Sequence, residues 1–415
     1  MKNVLLKLAR YMKVKTELGV LVKEQFLYPQ EQLMKVRKDQ CQLCIGIPKE
    51  LDGIENRICL TPEAVALIVN NGHIVQMESG AGNNAKFSDR EYSEAGAKIQ
   101  YDRKEVFASD IILKVDPPTM EEISYMKPGK TLISALQMAK LDPEYITEIN
   151  KKRITGIAYE FLEDKAGGKP VVKSMSEIAG SAVMLIAAEY LTTKNGMGVI
   201  LGGVTGVPST KVLILGAGTV AEYAARTAIG LGAEVKVFDR HLYRLRRLKL
   251  NVGLQLYTSA IDTINLRKEL KEADVVIGSL RAEEGSACVV TDEMVTEMKP
   301  NSIVIDVSID QGGCFETSSI TNHLNPVFRK YDVIHFCVPN IPSRVARTAS
   351  ISLSNIFAPI LLQIAETGGV ESMIHYKEWF RNSIYSYKGY LTNPIMAKKY
   401  NESYKDIKLL TAGLR

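Results

Sequence analysis

Cysteine and histidine are both scarce in this sequence of 415 residues. Six cysteines are too few for a scaffold held together by disulfides. Cys41 and Cys44 have the spacing of half a zinc or redox site, but neither a second such pair nor a nearby histidine completes it. The five histidines include no H-x-x-x-H pair. The sequence therefore predicts a reduced protein without a bound metal.

Long apolar runs and a large excess of one charge are also lacking. Residues 178–191, the most apolar long stretch, include Ser and Glu and fall short of the ~20 residues that cross a bilayer. Residues 1–15 lack the apolar core and cleavage site of a signal peptide. The 52 Lys and Arg residues exceed the 47 Asp and Glu residues by a net charge of only +5, spread along the chain. We expect a cytoplasmic protein with no nucleic-acid partner and no membrane insertion.

Short apolar runs alternate with helical patterns in two separate parts of the sequence. The runs of the first part have the length of buried strands and lie at residues 44–48, 73–78, 110–115 and 131–136. Thr61, followed by Pro and Glu, marks the start of a helix between the first two runs. The pattern resumes at residues 211–338. Alternation of this kind predicts parallel sheets with helices on both faces.

A glycine-rich motif opens the second part. Gly216, Gly218 and Ala221 fit the G-x-G-x-x-G/A pattern, between an apolar strand and a helix. The first glycine permits a tight turn, the second lets the backbone approach a pyrophosphate, and the helix amino terminus attracts the phosphates. Asp239 ends the next strand, about 20 residues on, where a carboxylate accepts hydrogen bonds from an adenosine ribose. We predict a bound NAD and keep NADP as the alternative, because Arg240 could pair with a 2′-phosphate.

These patterns together predict an α/β protein with two Rossmann-like, doubly wound parallel-sheet domains. Long helices, at residues 175–193 and 350–365, would join the domains and leave a cleft between them. The predicted divisions are an N-terminal helical extension (1–43), the first part of a catalytic or substrate domain (44–174), an NAD-binding Rossmann domain (175–342), and a return helix with the C-terminal part of the catalytic domain (343–415).

Three charged residues in or just after predicted strands are candidates for chemistry. Arg57 lies in the loop after the first strand, where ligands of open α/β sheets gather and where a guanidinium can clamp a carboxylate. Lys114 lies in an apolar strand, so its amine either reaches a substrate or is paired with a structural carboxylate. Asp310 follows a strand of the second part and could move a proton or activate water, although aspartate is also common in turns.

The order of short motifs resembles that of the alanine dehydrogenase family, which includes the soluble NAD-binding part of proton-translocating transhydrogenase. The matching motifs are Ile45-Gly46-Ile47-Pro48-Lys49-Glu50, Glu55-Asn56-Arg57, Leu113-Lys114-Val115, Met175-Ser176-Glu177, Gly216-Ala217-Gly218-Thr219 and Ile309-Asp310-Gln311-Gly312-Gly313. The likeness runs from about residue 45 to about 370, and the last motif is closer to alanine dehydrogenase than to transhydrogenase.

The resemblance implies a reversible NAD-dependent oxidative deamination of L-alanine to pyruvate and ammonium by a homo-oligomer. Arg57 and Lys114 would hold the substrate, and Asp310 would share the acid–base work. The implied cofactor-binding residues are Ser176, Gly216, Gly218, Thr219, Val220, Asp239, Arg244, Leu280, Val307 and Asn340.

One position departs from the family pattern. Gln137 aligns with the family's catalytic histidine, and an amide cannot exchange a proton near neutral pH. Either the enzyme is slow or altered, or another group substitutes; His335 is a candidate, although its position in a strand favours a plain structural histidine. Two other functions therefore stay open. One is a transhydrogenase-like or otherwise non-deaminating NAD(P)-binding module, and the other is a related oxidoreductase of the saccharopine or opine type.

Overall fold

The computed structural model describes residues 41–137, 141–164, 166–281 and 288–412. The helical extension predicted for residues 1–43 lies almost wholly outside this part of the chain. The strands are β1 Cys44–Ile47, β2 Ile74–Glu78, β3 Lys98–Gln100, β4 Ile111–Leu113, β5 Thr131–Ser134, β6 Thr155–Ala158, β7 Lys211–Leu215, β8 Glu234–Asp239, β9 Tyr257–Ala260, β10 Val275–Gly278, β11 Ile303–Asp306, β12 Val327–Lys330, β13 Val333–Phe336, β14 Ile384–Tyr387 and β15 Tyr390–Leu391.

The helices alternate with these strands through most of the chain. They are α1 Pro62–Asn70, α2 Asp89–Glu94, α3 Arg103–Phe107, α4 Met120–Tyr125, α5 Pro143–Lys151, α6 Pro170–Leu191, α7 Thr219–Gly230, α8 Leu242–Val252, α9 Thr263–Glu272, α10 Asp292–Thr296, α11 Ala346–Glu366, α12 Val370–Tyr376, α13 Glu378–Arg381, α14 Pro394–Tyr400 and α15 Ile407–Ala412. Thr61 caps α1 and Pro62 is its first residue, as the sequence predicts.

The first sheet has the strand order of a doubly wound nucleotide-binding fold. Six parallel strands run β3-β2-β1-β4-β5-β6, and the antiparallel β14 and β15 extend the β6 edge. The order reverses between β1 and β4, which pair in register Ile45 to Ile111. In such sheets a crevice opens at the reversal, outside the carboxyl ends of the strands.

The second sheet repeats the same order. Its parallel strands run β9-β8-β7-β10-β11-β13, with the antiparallel β12 at the β13 edge. The reversal here lies between β7 and β10. Strands such as β10 and β11 are buried at every position, so they form continuous apolar runs rather than alternating ones. The prediction of two doubly wound α/β sheets is therefore confirmed.

Two helices are longer than the sequence analysis allowed. Helix α6 has 22 residues because it begins at Pro170, and α11 with the turn before it spans 26 residues as Ile341–Glu366. The expectation that no segment has the length and composition of a membrane span was therefore wrong. Buried residues make up 44% and 50% of their most apolar windows, and the two helices pack against each other. This packing is that of core helices.

Candidate functional site

The loop after β7 has the shape that a dinucleotide pyrophosphate requires. Gly216 has φ +111°, and a Cβ there would lie 2.7 Å from the carbonyl oxygen of Ser279, so glycine alone fits without strain. A Cβ on Gly218 would meet no atom within 4 Å, so the space above it is open. No side chain caps the amino terminus of α7, whose first-turn N–H groups therefore face an anion site.

Asp239 lies beside this loop at the end of β8. Its Oδ2 accepts a hydrogen bond from the Ala217 N–H at 2.8 Å, and its Oδ1 accepts one from the His241 N–H at 2.7 Å. The Oδ1 atom also lies 3.2 Å from His241 Nδ1, so Oδ2 is the oxygen with a described bond from the Ala217 N–H alone. Arg240 is exposed next to it, and Arg244 is half-buried in the first turn of α8.

The other predicted cofactor residues line the same edge of the second sheet. Leu280 follows β10, Val307 follows β11, and Asn340 follows β13. Ser176 lies on α6, one turn before Gly180. At Gly180 the helix α6 packs tightly against α7, since a Cβ on Gly180 would lie 2.4 Å from the carbonyl oxygen of Val220. The helix α7 begins with Thr219 and Val220, both half-buried. Sequence-distant residues thus meet around the glycine loop.

Arg57 lies above the reversal of the first sheet and is held by a buried carboxylate. Its Nε donates to Glu55 Oε1 at 2.8 Å and its Nη2 donates to Glu55 Oε2 at 2.7 Å. Burial alone would lower the pKa of Arg57, but the Glu55 carboxylate raises it above its usual value. The Nη1 atom lies 3.2 Å from the sulfur of Met175. This pair holds a permanent, oriented cation at the site.

Lys114 follows β4, the strand next to β1. Its side chain is 1% exposed, with Nζ 3.1 Å from Glu122 Oε1 and 3.2 Å from Glu50 Oε2. The sequence left two alternatives for the Lys114 amine, contact with a substrate or pairing with a structural carboxylate. The structure shows the pairing. Burial raises the pKa of Glu50 to about 7, although the Lys114 charge opposes this rise. This cluster can therefore gain or lose a proton near neutral pH.

The loop that carries Arg57 touches the second domain directly. Asn340 donates a hydrogen bond through Nδ2 to Glu55 Oε2, and the Asn56 N–H donates to Ser343 Oγ at 2.9 Å. Asn340 has φ +63°, so its backbone is in the left-handed region that asparagine tolerates. These contacts bring the crevice of the first sheet opposite the carboxyl edge of the second sheet.

Asp310 lies on the second domain, in the exposed 3-10 turn Ile309–Gln311. The buried Asp306 holds this loop: its Oδ2 accepts from the Cys314 N–H at 2.8 Å and from Ser318 Oγ at 2.7 Å. Burial raises the pKa of Asp306, while these hydrogen bonds act in the opposite direction. Asp310 thus lies on the same sheet edge as Val307, across the cleft from Arg57 and Lys114.

Gln137 lies beside a group that the sequence analysis missed. Its Nε2 donates to Asp116 Oδ1 at 2.6 Å. Gln137 has φ +43°, and one oxygen of Glu160 accepts from the N–H groups of Leu136, at 2.7 Å, and of Gln137, at 3.0 Å. Asp116 comes two residues after Lys114, so the strand-end argument applied to Arg57 and Asp310 would also have found it.

Two histidines of the second domain, His335 and His323, do not take the place of the expected catalytic imidazole. His335 is fully buried in β13, where it stacks on Phe328 and bonds to Thr317 and to the Val333 carbonyl. It is a structural strand histidine, so its candidacy was wrong. His323 makes a backbone hydrogen bond with Asn340 near Glu55 and Arg57, and burial lowers its pKa. Its Nε2 is buried without a partner, so no substrate reaches that atom in this conformation.

The fold and the paired crevices define a two-domain, dinucleotide-binding α/β protein. The chain belongs to the alanine dehydrogenase/PNT family, because residues 46–179 match its N-terminal domain and residues 182–394 match its C-terminal domain.

Relatives of known name agree with this family. The chain is 38% identical over 365 residues to alanine dehydrogenase of Bacillus subtilis, covering 87% of this chain and 96% of the relative. It is 36% identical over 373 residues to alanine dehydrogenase 2 of Staphylococcus aureus, covering 88% of this chain and 98% of the relative. A solved L-alanine dehydrogenase has a TM-score of 0.81 at 32% identity, covering 86% of this chain and 99% of its own. A transhydrogenase from Sinorhizobium meliloti shares the fold, with a TM-score of 0.73 at 24% identity.

Proposed function

We propose that this protein catalyses the reversible NAD-dependent oxidative deamination of L-alanine to pyruvate and ammonium. The observation that carries the proposal is the contact between the two sheets at their carboxyl edges. The loop that holds the Arg57 guanidinium hydrogen-bonds to Asn340 and Ser343, after β13 of the sheet that carries the glycine loop. Relatives named alanine dehydrogenase, at 36–38% identity over most of the chain, support the choice of substrate.

In this mechanism the first-sheet domain holds the substrate. Arg57, in the loop after β1, binds the carboxylate of pyruvate. Lys114, after the adjacent strand β4, binds the carbonyl oxygen once its amine turns from Glu50 and Glu122, with which the structure pairs it. The bound nicotinamide supplies the hydride acceptor or donor. The glycine loop holds the pyrophosphate and Asp239 the adenosine ribose, while Asp310, on the edge across the cleft, shares the proton transfers.

The direct test is loss of NADH absorbance with pyruvate and ammonium, and its formation with L-alanine. We expect turnover that needs both pyruvate and ammonium, and that is weaker with other oxo acids. Binding of NADH without turnover at high enzyme concentration contradicts the proposal. A substrate screen that favours a larger amine or oxo acid instead supports the saccharopine- or opine-type alternative.

The position of Gln137 favours one second candidate, an NAD(P)-binding module that does not deaminate, because an amide there cannot exchange a proton. Q137H separates the two candidates. A gain in pyruvate amination by Q137H, with no activity in the unaltered chain, supports a non-deaminating protein whose pocket is otherwise assembled. Amination by the unaltered chain excludes this candidate.

For the cofactor we propose NAD rather than NADP. The carboxylate of Asp239 repels a 2′-phosphate and accepts from ribose hydroxyls, whereas exposed Arg240 is the group that would attract the phosphate. Paired titrations with NADH and NADPH, followed by nicotinamide fluorescence, test this preference.

We further propose a cytoplasmic homo-oligomer. The apolar side chains of the second domain that are more than half exposed include Leu185, Ile200, Val204 and Val207, as a subunit contact would explain. Light scattering on the purified chain measures the subunit number, and a monomer at micromolar concentration contradicts the assembly.

A further inference from the structure

The loop that carries Arg57 is buried although it has no regular secondary structure. Residues 55–60 form neither helix nor strand, yet Glu55, Arg57 and Ile58 are 0%, 6% and 2% exposed. A buried N–H group that is paired in no helix or sheet needs another acceptor, because leaving it without a partner costs free energy. The acceptors that this loop finds therefore decide where its backbone lies.

Serine hydroxyls accept the N–H groups on both sides of Arg57. The Asn56 N–H donates to Ser343 Oγ at 2.9 Å, and the Ile58 N–H donates to Ser350 Oγ at 2.9 Å. Both serines are almost fully buried, so bulk water does not compete for these hydrogen bonds. The backbone of Arg57 is thus held from the residue before it and from the residue after it.

The two serines belong to one helical segment that begins at the edge of the second sheet. Ser343 lies in the 3-10 turn Ile341–Val345, which follows β13, and Ser350 lies in the second turn of α11. The seven positions that separate them amount to about two helical turns, which brings both hydroxyls to the side that faces the loop. A rigid helix therefore connects the edge of the second sheet with the loop after β1.

The ion pair with Glu55 does not fix the place of the Arg57 guanidinium by itself. Glu55 accepts from the Nε, the Nη2 and the backbone N–H of Arg57, but the two residues are only two positions apart on the same loop. Such a pair sets the direction of the guanidinium relative to the loop, and it moves when the loop moves. Its place in the pocket depends on hydrogen bonds that leave the loop, which are those to Ser343 and Ser350 and the one from Asn340 to Glu55.

We propose that Ser343 and Ser350 are positioning residues for substrate binding: their hydroxyls hold the backbone on both sides of Arg57 so that its guanidinium meets the substrate carboxylate. The assignment rests on the proposed binding of pyruvate by Arg57. Hydrogen bonds between a guanidinium and a carboxylate depend steeply on distance and angle, so a displaced loop binds the substrate more weakly.

Ser354 provides a comparison within the same helix. It lies one turn after Ser350, is as deeply buried, and its Oγ accepts the Thr61 N–H at 3.1 Å. Thr61 is the cap of α1, four residues after Arg57. The same kind of hydrogen bond thus joins the same helix to the same stretch of chain, but away from the substrate clamp.

The decisive experiment compares Ser350→Ala with Ser354→Ala. Each variant leaves a buried N–H without its acceptor, so both should lower the urea midpoint of unfolding. Only S350A should raise KM for pyruvate, by about tenfold, with kcat and KM for NADH unchanged, because the serine affects how the substrate is held and not the chemical step. An unchanged KM for pyruvate in S350A, or an equal rise in S354A, overturns the assignment.

Ser343→Ala tests the hydrogen bond on the other side of Arg57. Its KM for pyruvate should also rise by about tenfold. An unchanged KM in S343A removes Ser343 from the assignment.

Crystal structures of the variants keep the test valid if the chain does not deaminate. Without any substrate, the Arg57 guanidinium should be displaced in S350A and unmoved in S354A when the first sheets are superposed. An unmoved guanidinium in S350A refutes the positioning role, whatever the activity. A displaced guanidinium together with no pyruvate turnover in the unaltered chain refutes only the proposed deamination.

Discussion

The two sheets share one strand order but prepare their crevices in opposite ways. At the reversal of the first sheet, Arg57 and Lys114 are buried charged side chains, each held by carboxylates. At the reversal of the second sheet, Gly216 and Gly218 have no side chains to cover the backbone. The same topology therefore places buried charged side chains at one reversal, where we propose a small acid binds, and glycine backbone at the other, where we propose phosphates bind.

The largest expected effect comes from removing the buried cation of the first crevice. Arg57→Met leaves Glu55, which is 0% exposed, as an unpaired buried charge, so the free energy of unfolding should fall by about 3–5 kcal/mol. Urea unfolding measures this loss. Pyruvate turnover should also disappear, while NADH fluorescence titration should show binding in whatever fraction stays folded.

The double variant E55Q/R57M separates stability from binding. It removes both charges, so most of the stability should return while pyruvate turnover stays absent. A normal KM for pyruvate in the double variant would show that Arg57 has a structural role alone, and the contrast between the two crevices would fail.

A substitution in the second crevice should have the opposite effect, with weaker NADH binding and an unchanged free energy of unfolding. Gly218→Val places atoms in open space above an ordinary backbone conformation, so NADH affinity should fall by about 10–100-fold with little change in unfolding. Gly216→Ala is the matched control: its φ of +111° and the nearby Ser279 carbonyl should cost about 1–3 kcal/mol of stability. Fluorescence titration and urea unfolding of both variants distinguish a binding glycine from a structural one.

The sequence predicted the second crevice better than the first. A glycine motif is local, because the strand β7, the loop and the helix α7 follow one another in the sequence. Each glycine is explained by the geometry of this one turn. The contacts of the first crevice are not local. Glu50 accepts a hydrogen bond from the Val115 N–H, 65 residues away, because β1 and β4 are neighbours in the sheet. No periodicity in the chain reveals such a pairing.

The Asp116–Gln137 contact was missed for the same reason. It joins the ends of two neighbouring strands, β4 and β5, and the two residues are 21 positions apart. The sequence analysis singled out Lys114 as a lysine within an apolar strand, but it did not apply the strand-end argument to Asp116. The start of α6 was also misjudged, since Pro170 is a favourable first residue and the helix pattern was counted only from residue 175.

The buried glutamate beside Lys114 gives the first crevice a pH dependence that the glycine loop lacks. The folded-state pKa of Glu50 is raised from 4.5 to about 7, so its contribution to stability is complete below pH 4.5 and is lost as pH rises through 7. This loss amounts to about 3 kcal/mol at most. In Glu50→Gln, the free energy of unfolding should therefore fall less between pH 5 and 8 than in the unaltered chain.

Urea unfolding at several pH values measures this difference. Glu94→Gln is the control, because Glu94 pairs with Arg90 on the surface of the same domain and should leave the pH dependence unchanged. Parallel pH curves for E50Q and the unaltered chain would mean that Glu50 stays ionised, held by the Lys114 amine alone.

The smallest expected effect concerns Asp239, the carboxylate beside the glycine loop of the second crevice. Asp239→Asn removes the charge that repels a 2′-phosphate but keeps an oxygen for the Ala217 N–H, so the glycine loop should hold its shape. The ratio of kcat/KM for NADPH to that for NADH should rise by about tenfold. Adding Arg240→Ala should reverse most of this gain, because the exposed Arg240 is the nearest cation along the chain that could pair with the phosphate. If the gain persists in D239N/R240A, then cofactor choice is set by the shape of the backbone cradle, and the second crevice works without any charged side chain.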